Sequence, residues 1–230
     1  MAEVILALDL PDGTKAMRLL DRLPMVRWVK VGSILMTREG APFVRGLVAR
    51  GHRVFLDLKW HDIPNTVAGA VMAAKELGVS MATVHALGGT TMMETAAAAA
   101  GSDLALVGVT VLTSHDAASY GRATGRGQVD VVDEAVRQAR EVASAGLAGV
   151  VCSAAEAAAV RRVLPGDALL VVPGIRRESD GSGDQVRVAT AGDAVRAGAT
   201  HLVVGRPVIH ANDPAGALEQ LIEEARCVAS

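Results

Sequence analysis

The chain has 230 residues, of which 50% are hydrophobic, 21% are charged and 2% are aromatic, and its net charge at pH 7 is −2. This balance excludes an intrinsically disordered chain, a collagen-like repeat and a polycation that binds nucleic acid through charge. No apolar run reaches the roughly 18 residues that a membrane span needs, and the acidic Glu3 stands where a secretory signal would be basic. We therefore expect a cytoplasmic protein with no membrane or nucleic-acid partner.

Cys152 and Cys227 are too far apart for a CxxC site, which predicts reduced, buried thiols.

Short β-branched runs alternate with Ala-rich segments of helical spacing along the chain. The predicted strands cover residues 4–10, 28–35, 53–59, 81–86, 104–112, 149–153, 169–175 and 201–206. Helical spacing is clearest at residues 65–77, 129–145 and 214–229, and helices are expected to end at Gly78, Gly101, Gly146 and Gly198. Eight strand–helix units predict a parallel sheet closed into a single (β/α)₈ TIM barrel, with residues 1–230 forming one domain.

The alternative fold is an open, doubly wound parallel sheet. Such sheets commonly carry GxGxxG after the first strand or a GxxxxGK[ST] loop, and neither pattern occurs in this sequence. The barrel is therefore the favoured fold. Residues 114–128 are predicted as a long loop after the fifth strand.

Charged residues fall on the predicted inner face of the first three strands. Because side chains alternate across a strand, the pattern directs Asp9 on the first strand and Lys30 on the second toward the barrel axis. The same count directs Asp57 and Lys59 on the third strand inward, and Asp62 follows on the next loop. All of these positions lie toward the carboxyl ends of their strands, where barrel enzymes build their active sites.

The signs of Lys30, Asp57, Lys59 and Asp62 alternate, as expected for charges that must be paired in an apolar interior. A lysine held between carboxylates stays protonated, because nearby opposite charge favours the ammonium form. It can then stabilise a developing anion and deliver a proton to it. The pattern is typical of a decarboxylase, but it would also serve a Schiff-base lyase or an enolising isomerase.

A phosphate site is expected at the loops after strands 7 and 8, where barrels commonly bind phosphate. The seventh strand runs into Gly174 and Arg176, and the eighth ends at Gly205 and Arg206. Glycine permits close backbone approach, the Arg206 guanidinium matches phosphate oxygens, and Gln185 adds an uncharged donor.

The six histidines show neither HExxH nor HxH spacing, so no metal site is predicted. His61, His85 and His201 are interpreted as packing or hydrogen-bonding residues.

Residues 57–66 read DLKWHDIPNT and resemble the DxKxxDIPNT signature of the orotidine 5′-monophosphate decarboxylase family. Asp9, the VKVG of residues 29–32, the VLTS of residues 111–114, the PGIR of residues 173–176, Gln185 and the Gly205-Arg206 pair are similar to its bacterial members. These motifs span nearly the whole chain. Trp60 departs from the pattern, because a smaller aromatic residue is expected there.

The resemblance implies a barrel that converts orotidine 5′-monophosphate to uridine 5′-monophosphate without a cofactor, the last step of de novo pyrimidine synthesis. It implies that Lys59 protonates C6 while Asp57 lies against the departing carboxylate, with Lys30 and Asp62 completing the charge network. The remaining implied substrate contacts are Asp9 and Lys30 at the ribose, Thr113 near the pyrimidine, and Arg176, Gln185, Gly205 and Arg206 at the phosphate. The resemblance also implies a homodimer in which Asp62 and Thr66 reach the neighbouring subunit's site.

Two alternatives remain open. One is a metal-dependent sugar-phosphate enzyme of the same superfamily, such as a hexulose-6-phosphate synthase or a keto-gulonate-phosphate decarboxylase. Those enzymes share DxKxxD, but they usually carry Glu at the position of Lys30 and Gly soon after the last Asp. The other is a nucleotide-binding barrel that has lost its chemistry, against which the retained Lys59 argues.

Overall fold

The structure is a computed structural model that describes residues 2–176 and 189–227. Parallel strands pair in chain order, and the last pairs with the first, so that the sheet closes into a barrel. The strands are β1 (Glu3–Ala7), β2 (Trp28–Gly32), β3 (Arg53–Trp60), β4 (Met81–His85), β5 (Ala105–Val109), β6 (Gly149–Val151), β7 (Leu169–Val172) and β8 (His201–Val204). The predicted (β/α)₈ barrel is confirmed.

Helices cover the outside of the barrel and connect successive strands. They are α1 (Gly13–Asp21), α2 (Ser33–Ala49), α3 (Pro64–Glu76), α4 (Thr90–Ala100), α5 (Ala117–Thr124), α6 (Val131–Ser144), α7 (Ala154–Arg161), α8 (Ala191–Arg196), α9 (Arg206–Ile209) and α10 (Pro214–Cys227). Gly101 ends α4 with φ 58°, a left-handed conformation that costs glycine little. The other three glycines predicted at helix ends also have positive φ.

Several predicted boundaries were wrong. Residues 33–35 begin α2 instead of extending β2, because a short apolar run fits either element and only its packing decides. Residues 114–128 contain α5, whose start is fixed by a capping box between Asp116 and Ser119. Asp9 lies two residues beyond β1, and Arg206 begins α9 instead of ending β8.

The barrel interior is filled by one apolar cluster: Ile5, Ala7, Trp28, Phe55, Met81, Val107, Val171 and Val203. These residues share the inward parity of the strands, which confirms the alternation on which the prediction of inward charges depends. Although aromatic residues are scarce, Trp28 and Phe55 both lie in this cluster. Their side chains help to fill the barrel interior, so the barrel has a packed core and is not a pore.

A larger apolar layer lies between the sheet and the helices. Outward residues such as Leu6, Val29 and Val54 belong to it, together with buried helix residues such as Val71 of α3 and Val142 of α6. Within the described ranges, no helix combines the length and apolar character that crossing a membrane requires.

The two thiols differ in their surroundings. Cys152 is buried, as predicted, but Cys227 is exposed on the last turn of α10. The prediction of two buried thiols is therefore wrong for Cys227, because the inward face of α10 is occupied by Leu218, Leu221 and Ala225.

Candidate active site

A cavity of about 470 Å³ opens at the carboxyl ends of the strands. Of the predicted site residues, the structure brings together around it Asp9, Lys30, Asp57, Lys59, Thr113, Arg176, Gly205 and Arg206. Sequence positions almost two hundred residues apart therefore share one cavity, because parallel strands all end at the same face of the barrel.

Lys30 on β2 links Asp9, which follows β1, to Asp57 on β3. Its Nζ lies 2.8 Å from Oδ1 of Asp9 and 3.7 Å from Oδ2 of Asp57. Only 10% of the Lys30 side chain is exposed, against 53% for Asp9. The ammonium group thus lies between the two carboxylates and offsets the negative charge of both.

Lys59 lies on the other side of Asp57. Its Nζ donates a hydrogen bond to Oδ1 of Asp57 at 2.8 Å. Burial by itself raises the pKa of Asp57, but the ammonium groups of Lys30 and Lys59 outweigh it, so the pKa lies below its ordinary value. Asp57 is therefore a carboxylate at neutral pH, and it holds the ammonium groups of Lys30 and Lys59 at the cavity wall.

The backbone of Lys59 has an unusual conformation. Its φ is 52°, and it is the only non-glycine residue with positive φ in the described part of the chain. The pairing of β3 with β4 shifts register between Leu56 and Trp60, which surrounds this position. Non-glycine residues visit this region rarely, and such conformations cluster at functional sites.

Sequence reasoning missed one polar neighbour of this pair. Thr83 on β4 is fully buried; its Oγ1 accepts a hydrogen bond from the Lys59 N–H at 2.8 Å and donates one to Oδ1 of Asp57 at 3.1 Å. The signal was available, because Thr83 has the same parity as Met81, which lies in the inner cluster, so alternation along β4 directs the Thr83 side chain inward. His210, which also lines the cavity, had no comparable signal.

The segments after β7 and β8 bring the predicted phosphate residues Arg176, Gly205 and Arg206 to the cavity. Arg176 is 7% exposed, and its Nη1 donates a hydrogen bond to the carbonyl oxygen of Ile175 at 2.9 Å. Gly205 follows β8 and Arg206 begins α9, and Thr113 lines the cavity from the segment after β5. Gln185, together with the lid predicted between it and Arg176, falls outside the described residues.

Asp62 and Thr66 do not line the cavity of their own chain. Both are exposed, and Oδ1 of Asp62 accepts a hydrogen bond from the N–H of Ile63 at 2.6 Å. Within the described ranges, the ion pairs of Lys59 include Asp57 but not Asp62. In one isolated chain, Lys59 is therefore paired with one of the two acids predicted to flank it.

Two histidines lie beside the charged cluster. The rings of His61 and His85 stack with centroids 5.7 Å apart, and Nδ1 of His85 accepts a hydrogen bond from the N–H of Leu87. Burial lowers the pKa of His85 to about 4, with further contributions from His61 and from Lys59. No group of three or more His, Cys, Asp or Glu residues suited to a metal ion occurs among residues 2–176 and 189–227.

Comparisons with known proteins show the family to which the chain is related. The family profile described as "Orotidine 5′-phosphate decarboxylase / HUMPS family" matches residues 2–221. The chain belongs to this family. The match confirms the resemblance carried by residues 57–66 and the expectation that the protein is an enzyme.

Curated relatives in the family are similar over almost their entire length. The chain is 49% identical to an orotidine 5′-phosphate decarboxylase of Alkalilimnicola ehrlichii over 228 residues, covering 97% of this chain and 96% of the relative. It is 46% identical to that of Coxiella burnetii over 230 residues, covering 97% of each. The crystal structure of orotidine 5′-phosphate decarboxylase from Lactobacillus acidophilus superposes with a TM-score of 0.86 at 34% identity, covering 98% of this chain and 99% of the other.

Proposed function

We propose that the chain decarboxylates orotidine 5′-monophosphate to uridine 5′-monophosphate without a cofactor, as the last step of pyrimidine synthesis, and that residues 1–230 act as one catalytic domain in the cytoplasm. The observation that carries the proposal is the 2.8 Å contact between Lys59 and Asp57 at a cavity that Arg176 and Arg206 also line. Family membership and the names of the relatives support the same reaction.

The chemistry requires electrostatic stabilisation. When the bond from C6 to the carboxylate breaks, carbon dioxide leaves and the electron pair stays on C6, in the plane of the ring, where it cannot delocalise into the carbonyl groups. We assign the Lys59 ammonium as the group that faces this charge and transfers a proton to C6; the neutral amine then regains a proton from water. Each roughly 1.4 kcal/mol of stabilisation at the transition state raises the rate tenfold.

The charge network explains how Lys59 is held in place. Lys30 and Lys59 keep Asp57 ionised, and its carboxylate holds the Lys59 ammonium at 2.8 Å. The substrate carboxylate lies against Asp57 in the proposed complex, and its departure removes a repulsion between two anions. Asp9 and Lys30, already in contact at 2.8 Å, are assigned to the ribose hydroxyls.

The remaining assignments follow the cavity walls. We assign Thr113 to the pyrimidine and Arg176, Gln185, Gly205 and Arg206 to the phosphate. Binding energy from the phosphate, far from C6, can be used to exclude water and to orient the reacting group.

We also propose a homodimer in which Asp62 and Thr66 complete the neighbouring subunit's site, since both are exposed and outside their own cavity. Nucleic acid and membranes have no part in this function.

Lys30 distinguishes this proposal from a metal-dependent sugar-phosphate enzyme. Its ammonium group occupies the position between Asp9 and Asp57 at which carboxylates would otherwise be free to bind a divalent cation. A lysine is a donor with no acceptor capacity when protonated, so it opposes a cation there. The proposed reaction therefore proceeds in the presence of chelator.

A direct assay tests the function. Purified protein is given orotidine 5′-monophosphate in buffer with EDTA, and the fall in pyrimidine absorbance is followed. We expect turnover by the wild type and a loss of at least about 10³-fold in kcat for Lys59→Ala. Lys75→Ala is the matched control, because it removes a lysine that pairs with Asp103 at 3.3 Å and does not line the cavity. Absence of wild-type turnover, or full activity of Lys59→Ala, would contradict the proposal.

A further inference from the structure

We infer that Thr83 is a positioning residue that sets the geometry of Lys59 and Asp57 for the reaction. The inference rests on the proposed function, because it concerns the same lysine and the same proton transfer. Thr83 does not line the cavity, so it acts through its two partners and not by touching substrate.

One hydroxyl group joins the backbone of Lys59 to the side chain of Asp57. The Lys59 N–H can only donate, so Oγ1 of Thr83 accepts that hydrogen bond, at 2.8 Å. The single hydroxyl proton of Thr83 is then directed to Oδ1 of Asp57, at 3.1 Å. Because Thr83 is fully buried, water is not at hand to replace either bond. The hydroxyl therefore fixes the Lys59 backbone relative to the Asp57 carboxylate.

The first bond stabilises the unusual backbone of Lys59. A non-glycine residue with φ of 52° persists only where its surroundings hold it in place. The shift in register between β3 and β4 removes regular strand pairing near this residue, and Thr83 on β4 supplies a side-chain acceptor for the Lys59 N–H. Without the hydroxyl, this N–H loses a buried partner, and relaxation of the backbone would redirect the long Lys59 side chain.

The second bond fixes the carboxylate. Oδ1 of Asp57 receives both the Thr83 hydroxyl and the Lys59 ammonium at 2.8 Å, while Oδ2 faces Lys30 at 3.7 Å. If the Asp57 carboxylate rotated, Lys30 could take the close contact that Lys59 now makes, and Lys59 would lose it. Thr83 opposes that rotation from the side away from the cavity, so Nζ of Lys59 stays aimed into the site.

Three variants separate positioning from simple folding effects. Thr83→Val keeps the shape of the side chain and removes the hydroxyl, and Thr83→Ser restores the hydroxyl. Thr110→Val is the matched control: Thr110 is also a fully buried threonine whose hydroxyl donates a hydrogen bond, to the carbonyl oxygen of Val151 at 3.0 Å, and it does not line the cavity.

We expect Thr83→Val to lower kcat by about 10- to 100-fold, because misplacement of a reacting group by about 1 Å can cost up to about 100-fold. KM and the affinity for uridine 5′-monophosphate should change by less than about threefold, since the contacts that bind the nucleotide remain. Thr83→Ser should recover kcat to within about threefold of wild type, and Thr110→Val should keep it within about twofold.

Three kinetic outcomes would overturn the inference: wild-type kcat in Thr83→Val, an equal loss in Thr110→Val, or no recovery in Thr83→Ser. If Thr83→Val does not fold, Thr83→Ala and Thr83→Ser are compared instead, with the same criteria. A crystal structure of the variant measures the Lys59–Asp57 separation without any assay, and an unchanged separation and Lys59 φ would also refute it. Failure of the wild type to turn over contradicts the proposed function itself, and is thereby distinguished from failure of this inference.

Discussion

The ring of His201 meets the ring of Trp28 edge-on at the amino-terminal end of the barrel, with centroids 5.4 Å apart. His201 begins β8, is 8% exposed, and has Nδ1 2.9 Å from Oγ1 of Thr200. Burial lowers the pKa of His201 to about 4, and the positive charge of Arg53 lowers it further in the same direction. The imidazole is therefore neutral in the folded protein at pH values where an unfolded chain would already have bound a proton.

This depressed pKa predicts that part of the folding stability is lost on acidification. The contribution is complete above the ordinary value of 6.5 and is lost as pH falls toward about 4, since the unfolded state then binds the extra proton. We expect His201→Gln to reduce the loss of unfolding free energy between pH 7 and pH 5 by about 1–2 kcal/mol. Urea denaturation of the wild type and of His201→Gln at pH 7 and pH 5 measures this loss. For each of the two proteins, the value at pH 7 is the control for the value at pH 5. An unchanged difference between the two pH values would show that His201 does not titrate in this way.

A second buried group, the carboxylate of Glu134 on α6, ties α5 to α6. It accepts hydrogen bonds from Arg137, Arg126, Gln138 and the hydroxyl of Tyr120, although only 2% of its side chain is exposed. The hydrogen bond from Arg137 is the largest cause that holds the pKa of Glu134 well below its usual range.

The position of Tyr120 connects this network to the candidate site. Its ring packs with Val111, which lines the cavity, and with Val129. The carboxylate thus supports the segment after β5 that carries Thr113.

We expect Glu134→Ala to lower the unfolding free energy by about 2–4 kcal/mol, because it leaves buried donors without their acceptor. The control is Glu141→Ala, which removes an ion pair with the same Arg137 but from a side chain that is 39% exposed. That change should cost less than about 1 kcal/mol. Chemical denaturation of both variants checks the comparison, and equal losses would show that burial of the carboxylate is not what matters.

Arg206 is predicted to act on the phosphate and not on the reacting carbon. Replacing it with alanine should lower kcat/KM for orotidine 5′-monophosphate by about 10- to 100-fold, the value of a charge-assisted hydrogen bond. The nucleoside without the phosphate should be affected much less, since it has no anion for the guanidinium to bind. Arg140→Ala, on the exposed face of α6, is the control. An equal loss on both substrates would rule out a phosphate role for Arg206.

The proposed dimer predicts that two inactive variants can restore each other. Lys59→Ala damages the site of its own chain, whereas Asp62→Ala damages the site of the partner. In a mixed dimer one site has both residues intact, so equal mixing and reassociation should recover up to about a quarter of wild-type activity. The two variants assayed separately are the controls. Activity that stays at the level of the separate variants would mean that Asp62 serves its own chain's site.

Much of the fold and part of the site could be predicted from the sequence, because they depend on local periodicity. Alternation within a strand is local, so Lys30, Asp57 and Lys59 could be assigned to the inner face without coordinates, whereas Asp9 lines the cavity from beyond the end of β1. The eight strand–helix units set the topology for the same reason. Strand ends were harder to predict, as at residues 33–35, because short apolar runs serve strands and helices equally.

The tertiary structure alone decided which groups touch. Nothing in the chain order links Thr83 to Lys59, because their contact depends on the register between β3 and β4 and on the φ of 52° at Lys59. Likewise, only the folded chain shows that Asp62 does not line its own cavity while Lys30 lies between Asp9 and Asp57. Residue type and spacing fix which face of a strand a side chain occupies, but hydrogen bonds form over distances of about 3 Å, and such distances are set by packing between segments remote in sequence.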